Sequence, residues 1–164
     1  MNWYVLYVQA LKVDKLLIYL NRVKGIDAFT PLLEYYRDVS KSIDVKPLFR
    51  GYIFVKTKMN QLEFNNVINS IEDKDGLIKQ LWFKDEETTA LTKEEIDMFE
   101  HILDSSYVVR MSQAFLQDGK AKIISGPLKY FENNIIKVDR HEKLAYLDID
   151  FMNKRMKAGL LITK

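Results

Sequence analysis

Apolar residues run almost unbroken over 3–8, the pattern of a strand buried on both faces. Over 12–23 the period changes. Val13, Leu16, Leu17, Leu20 and Val23 fall on one helical stripe, while Lys12, Lys15 and Arg22 lie largely away from it, which predicts an amphipathic helix with a basic outer side. Gly25 ends that helix. A second strand is predicted over 28–36, followed by a charged turn at 37–44. The segment 46–56 is the most crowded with aromatic and β-branched residues and reads as the central strand. Alternation places Phe49, Gly51, Ile53 and Val55 on a core face and Arg50, Tyr52, Phe54 and Lys56 on the other. Two aromatics between two cations there describe a face that is half covered and open to a partner.

Downstream, 60–71 reads as a second helix with Leu62, Val67, Ile68 and Ile71 available for burial, Asp75-Gly76 as a turn, and 77–83 as a fourth strand. Thr92 and Glu95 have the spacing of a capping box and start a third helix over 93–103. An edge strand at 107–111 and a linker at 112–118 follow. Beyond Gly119 the chain turns to short strands at 120–124, 135–139, 143–149 and 156–162. Ala145, Leu147, Ile149 and Phe151 alternate there with Tyr146, Asp148 and Asp150, which suggests a small barrel. The order strand, helix, strand, strand, helix, strand predicts an α+β domain over 1–111 with helices packed on an antiparallel-rich sheet. The linker leads from it to an all-β barrel over 119–164.

Composition fits two such domains, since 164 residues with 48% hydrophobic content can bury one moderate core and one small one. The absence of cysteine rules out disulfides and thiolate metal sites, and with only His101 and His141 available neither a metal nor a cofactor is expected. No apolar run approaches the roughly 18 residues that span a bilayer, so the expectation is a cytoplasmic protein without a membrane partner. The net charge of +2 is unevenly spread, being +5 over 1–58, −7 over 59–111 and +4 over 112–164. Basic ends around an acidic middle can present separate faces to nucleic acid and to protein. There is no Gly-rich phosphate loop, nucleophile elbow or His-Glu metal motif. Glu86-Glu87 and Glu94-Glu95 flank a helix start, where acidic residues favour the dipole, and His101 sits in a helix pattern. A non-enzyme is expected.

Pro47-Leu48-Phe49-Arg50-Gly51-Tyr52-Ile53-Phe54-Val55 resembles the strand signature of the N-terminal domain of NusG-family transcription elongation factors, with Arg50 where the usual form has proline. Ile123-Ile124-Ser125-Gly126-Pro127-Leu128, followed by Ile135-Ile136-Lys137-Val138-Asp139, is similar to the family's KOW motif, with Tyr130 and Asn133 where glycines are usual. The segment 3–8 also fits. The Pro-Leu-Phe and Ser-Gly-Pro-Leu forms, with Val138-Asp139-Arg140-His141, resemble the specialised LoaP group most. The resemblance implies a monomeric factor that binds RNA polymerase and promotes processive antitermination, recruited by an RNA hairpin in the nascent transcript. The alternatives are a general NusG coupling polymerase to the ribosome or to Rho, and a ribosome-associated KOW protein.

The resemblance also assigns surfaces. Tyr7, Tyr52 and Phe54 match strand contacts to the polymerase clamp helices, and Asn65 and Asn66 fall near the family's contact to the opposite side of the cleft. For the RNA, the expected set is Lys129, Arg140, His141, Lys143, Lys154 and Arg155, in three turn segments that can converge at one end of a small barrel. Lys12, Lys15 and Arg22 of the first helix are expected to help. Duplex RNA offers phosphates and 2′-hydroxyls more readily than base edges, so a cluster of cations with few aromatics suits a hairpin.

Overall fold

A computed structural model describes residues 1–71, the backbone of 77–80, and residues 90–163. The elements run β1 (Asn2–Val8), α1 (Val13–Asn21), β2 (Ile26–Phe29), β3 (Leu32–Arg37), β4 (Ser42–Pro47), β5 (Tyr52–Thr57), α2 (Gln61–Ser70) and β6 (Leu77–Gln80). They continue with α3 (Lys93–Ile102), β7 (Val108–Val109), β8 (Ser112–Gln117), β9 (Lys120–Ser125), β10 (Ile135–Asp139), β11 (Leu144–Phe151) and β12 (Lys154–Thr163). The chain is mixed α+β and divides into two compact units, Met1–Pro31 with Phe49–Ile96, and Leu32–Leu48 with Asp97–Lys164.

In the first unit an antiparallel sheet has the order β2-β5-β1-β6. Tyr4, Leu6 and Val8 of β1, Ala28 of β2, and Ile53 and Val55 of β5 form one core with Leu16 and Leu20 of α1 and Phe64 and Ile68 of α2. The helical stripe predicted for α1 is the one buried. Asn21, the last residue of α1, pins β2 through its side-chain amide, which donates to the Ala28 carbonyl at 2.9 Å and accepts from the Ala28 N–H at 2.8 Å. At the start of α2, Asn60 accepts from the Glu63 N–H at 2.9 Å, and Glu63 accepts from the Asn60 N–H at 3.1 Å. This reciprocal cap satisfies two donors a helix start otherwise leaves open. Phe64 then stacks on Tyr4 at 4.4 Å between centroids. Leu62, expected to be buried, is 69% exposed, and Phe64 takes that place.

The second unit holds a three-stranded sheet, β4-β3-β7, and a five-stranded sheet, β10-β11-β12-β8-β9, that curls into a half-barrel. Its core includes Leu33, Leu128, Leu147, Met156 and Leu160, and Phe99 of α3 meets Phe151 of β11 edge to face at 4.9 Å. The predicted capping box at Thr92 and Glu95 is present, with bonds of 2.9 and 3.1 Å.

Several expectations need correction. The segment 46–56 is not one strand. Gly51, at φ +85°, turns the chain between β4 and β5, and the phase of alternation breaks there. Phe49 therefore lies stacked on Phe54, at 6.3 Å, rather than on the opposite face. The single strand expected at 28–36 is divided at Thr30-Pro31 into β2 and β3, which belong to different sheets. Residues 112–117, read as linker, form β8, which pairs parallel with β12 and antiparallel with β9. The boundaries expected at 111 and 119 thus differ from the compact units, the second of which also takes in the β3–β4 hairpin. At the KOW-like turn, Tyr130 has φ −68°, and Asn133 lies in a 3-10 turn (Glu132–Asn134). Both hold negative φ, so the residues that replace glycine there need no left-handed backbone. The predicted turn at 75–76, Trp82, Phe83 and the pair Glu86-Glu87 lie outside the described residues.

Candidate functional site

The antiparallel register of β1 and β5 sets Tyr7 opposite Tyr52, Val5 opposite Phe54 and Trp3 opposite Lys56, so these six share one sheet face. Phe29 of β2 lies across from Phe54. Phe54 is completely buried, its ring 5.8 Å from that of Phe29 and 6.5 Å from that of Trp3. It is not accessible in the way the alternation predicted. Tyr52 and Tyr7 remain half-buried at the end of the face, with ring centroids 5.0 Å apart, and Phe49 meets Tyr52 edge to face at 6.1 Å. Burial, and then the neighbouring Tyr7, push the Tyr52 phenol above its ordinary value, so the Tyr52 hydroxyl keeps its proton at physiological pH. Gly51 makes this corner possible. Its carbonyl accepts from the Val8 N–H at 2.8 Å, and a Cβ there would stand 2.8 Å from the Val8 carbonyl oxygen. A pair of rigid, amphipathic rings on a fixed scaffold is the composition of a protein-binding anchor.

Asn65 and Asn66 face different ways. One helical step separates their directions by about 100°, and Asn65 is half-buried and accepts from the Gln61 amide at 2.8 Å, whereas Asn66 is exposed.

The cations expected to bind RNA are divided between the two compact units. Lys12 is half-buried, Lys15 and Arg22 are exposed, and Arg22 leans over the Tyr19 ring at 5.9 Å; all three belong to the first unit. In the second unit Lys129 is exposed on a 3-10 turn. Arg140, His141 and Lys143 occupy the β10–β11 turn, and Lys154 and Arg155 follow the β11–β12 turn. Those turns stand at opposite ends of β11, whose eight residues at roughly 3.3 Å each separate them by about 25 Å along the strand. Arg155 is further engaged by Asp150, at 3.0 Å, and by the Leu147 carbonyl.

A different basic surface joins β10, β11, β12 and the β3–β4 hairpin. The register aligns Lys137, Tyr146 and Lys157 across three strands. Lys137 lies 5.7 Å from the Tyr146 ring centre, Lys46 4.4 Å from that of Tyr35, and Lys143 4.7 Å from that of Tyr36. Burial, and then the Lys46 charge, hold the Lys157 ammonium below its ordinary range. Lysines interleaved with tyrosines form a stripe suited to a polyanion. Sequence reasoning identified only Lys143 of this stripe, because the others meet through non-local pairing and the hairpin was assigned elsewhere. Among the described residues, no group of three or more His, Asp or Glu side chains gathers to hold a metal ion, and no helix is long and apolar enough to cross a membrane.

No curated protein matches the chain. The family described as transcription termination factor NusG matches residues 1–100, which covers the Tyr7–Tyr52 corner and more than half of the sequence. The protein belongs to the NusG family of transcription factors.

Proposed function

We propose that this chain is an elongation factor of the specialised, LoaP-like kind, which binds RNA polymerase, promotes processive antitermination and is recruited by a hairpin in the nascent RNA. The observation that carries the polymerase reading is the Tyr7–Tyr52 corner. Two half-buried aromatic rings lie on a sheet held rigid by a buried aromatic cluster, at strand positions that the family resemblance connects with the clamp helices. The lysine–tyrosine stripe of the second unit supports the RNA reading, because its cations match the phosphates of a nucleic-acid backbone.

The test is co-purification and titration with core polymerase. Replacing both Tyr7 and Tyr52 by Ala is expected to weaken polymerase binding by about 2 kcal/mol or more, roughly thirtyfold, with the fold retained. Unchanged affinity in a folded double variant would remove this surface from the interface.

A further inference from the structure

The half-barrel is open between its two outermost strands. β9 and β10 are the terminal strands of the five-stranded sheet, and a groove of about 550 Å³ lies between them. Lys120 and Lys122 line it from β9, and Lys137 and Arg140 from the β10 side. Its apolar lining includes Leu116 and Ile136, which are 40% and 55% exposed. Glu132 is the acidic residue among those lining it, and its carboxylate accepts from the Ile123 N–H at 3.2 Å. That N–H points away from the β8 partner, so Glu132 already occupies the β9 edge at Ile123, and the stretch of edge left to a partner is 120–122.

An edge strand presents a row of backbone donors and acceptors to which an extended chain can add. Four cations of one sign, set around exposed aliphatic side chains, select what can add. Another copy of this edge is disfavoured by like charge, whereas a strand that alternates acidic and aliphatic residues meets both the lysines and the apolar floor. The lining contains no aromatic ring among the described residues, which argues against single-stranded nucleic acid, since that class of ligand gains much of its affinity by stacking. We propose that this groove binds an extended acidic segment of a partner protein, added as a strand to the β9 edge. This goes beyond the polymerase and RNA readings and does not depend on either.

The probe is a fluorescein-labelled octapeptide alternating Glu and Val, titrated against the full chain at fixed salt. It is expected to bind and to slow amide exchange in β9. The double variant Lys120→Glu with Lys122→Glu is expected to weaken binding at least tenfold, with an unchanged melting temperature showing that it is folded. A peptide alternating Glu and Pro carries the same charge but lacks every second backbone donor, and is expected to lose at least tenfold as well. Equal binding of the proline peptide would reduce the site to a charge effect and overturn strand addition. Tighter binding of a uridine octamer than of the Glu-Val peptide at the same salt would assign the groove to nucleic acid and overturn the proposal.

Discussion

Phe54 and Tyr52 alternate onto one face of β5, yet their removal has different consequences. Phe54 is enclosed by Trp3, Phe29 and Phe49, and deleting a ring from such a packed cluster leaves a cavity the neighbours only partly fill. Phe54→Ala is expected to destabilise the fold by about 3–5 kcal/mol in urea unfolding. Tyr52→Ala, at a half-buried position, is expected to cost clearly less. A Phe54→Ala variant that unfolds at the parental midpoint would mean that the aromatic cluster is not part of the core. The contrast also decides how the polymerase experiment is read. Loss of binding by Phe54→Ala reports on folding, whereas loss by the Tyr7 and Tyr52 pair reports on contact.

At the scale of elements, the turn from α3 into β7 is organised by one carboxylate. Asp104 accepts from the N–H groups of Ser106 and Val108, at 2.8 and 3.0 Å, and pairs with Arg110, which in turn reaches Glu34 of β3 at 3.1 Å. Burial works to raise the Asp104 ionisation, but the Arg110 hydrogen bond and the two backbone donors outweigh it and hold the group below the ordinary carboxylate range. A group whose folded-state value is depressed stabilises the fold fully above its unfolded value of about 3.9, and that contribution is lost as pH falls through the depressed value. Asp104→Asn is therefore expected to unfold at lower urea than the parent by a constant margin above about pH 5, and the margin is expected to narrow below about pH 4. A margin independent of pH would show that the charge has no part in the turn.

This corner also marks where sequence reading runs out. The helices, the capping box at Thr92 and the strands β9 to β12 of the half-barrel were legible because each is written in local periodicity or in one reciprocal pair. The β3·β7 and β12·β8 pairings are parallel and join residues far apart in the chain, so no local pattern announces them. β8 was nevertheless recoverable. Asp118-Gly119, both at positive φ, form the two-residue turn between β8 and β9, and that dipeptide between strand-forming segments is a strong hairpin signal which a linker reading passes over. Phe54 failed for another reason. Alternation assigned it to the correct face, but only packing reveals that this face is itself buried.

At the scale of the molecule, the placement of cations turns the RNA reading into a measurable geometry. Lys46, Lys143 and Lys157 belong to the stripe, while Lys154 lies at the far end of β11 from the β10–β11 turn. Each phosphate neutralised contributes about 0.7–0.9 to the slope of log affinity against log salt. With a hairpin of long stem, Lys46→Ala and Lys157→Ala are each expected to reduce the slope by about one contact. Lys154→Ala is expected to do the same only while the stem is long enough to span β11, and to lose its effect as the stem is shortened. Phosphate binding also raises the depressed Lys157 ionisation, so affinity is expected to fall as pH rises through the range where free Lys157 loses its proton, and Lys157→Ala is expected to abolish that dependence. Slopes and pH profiles of the stripe variants identical to the parent, with Lys154→Ala alone reducing the slope, would move the RNA to the opposite end of the half-barrel.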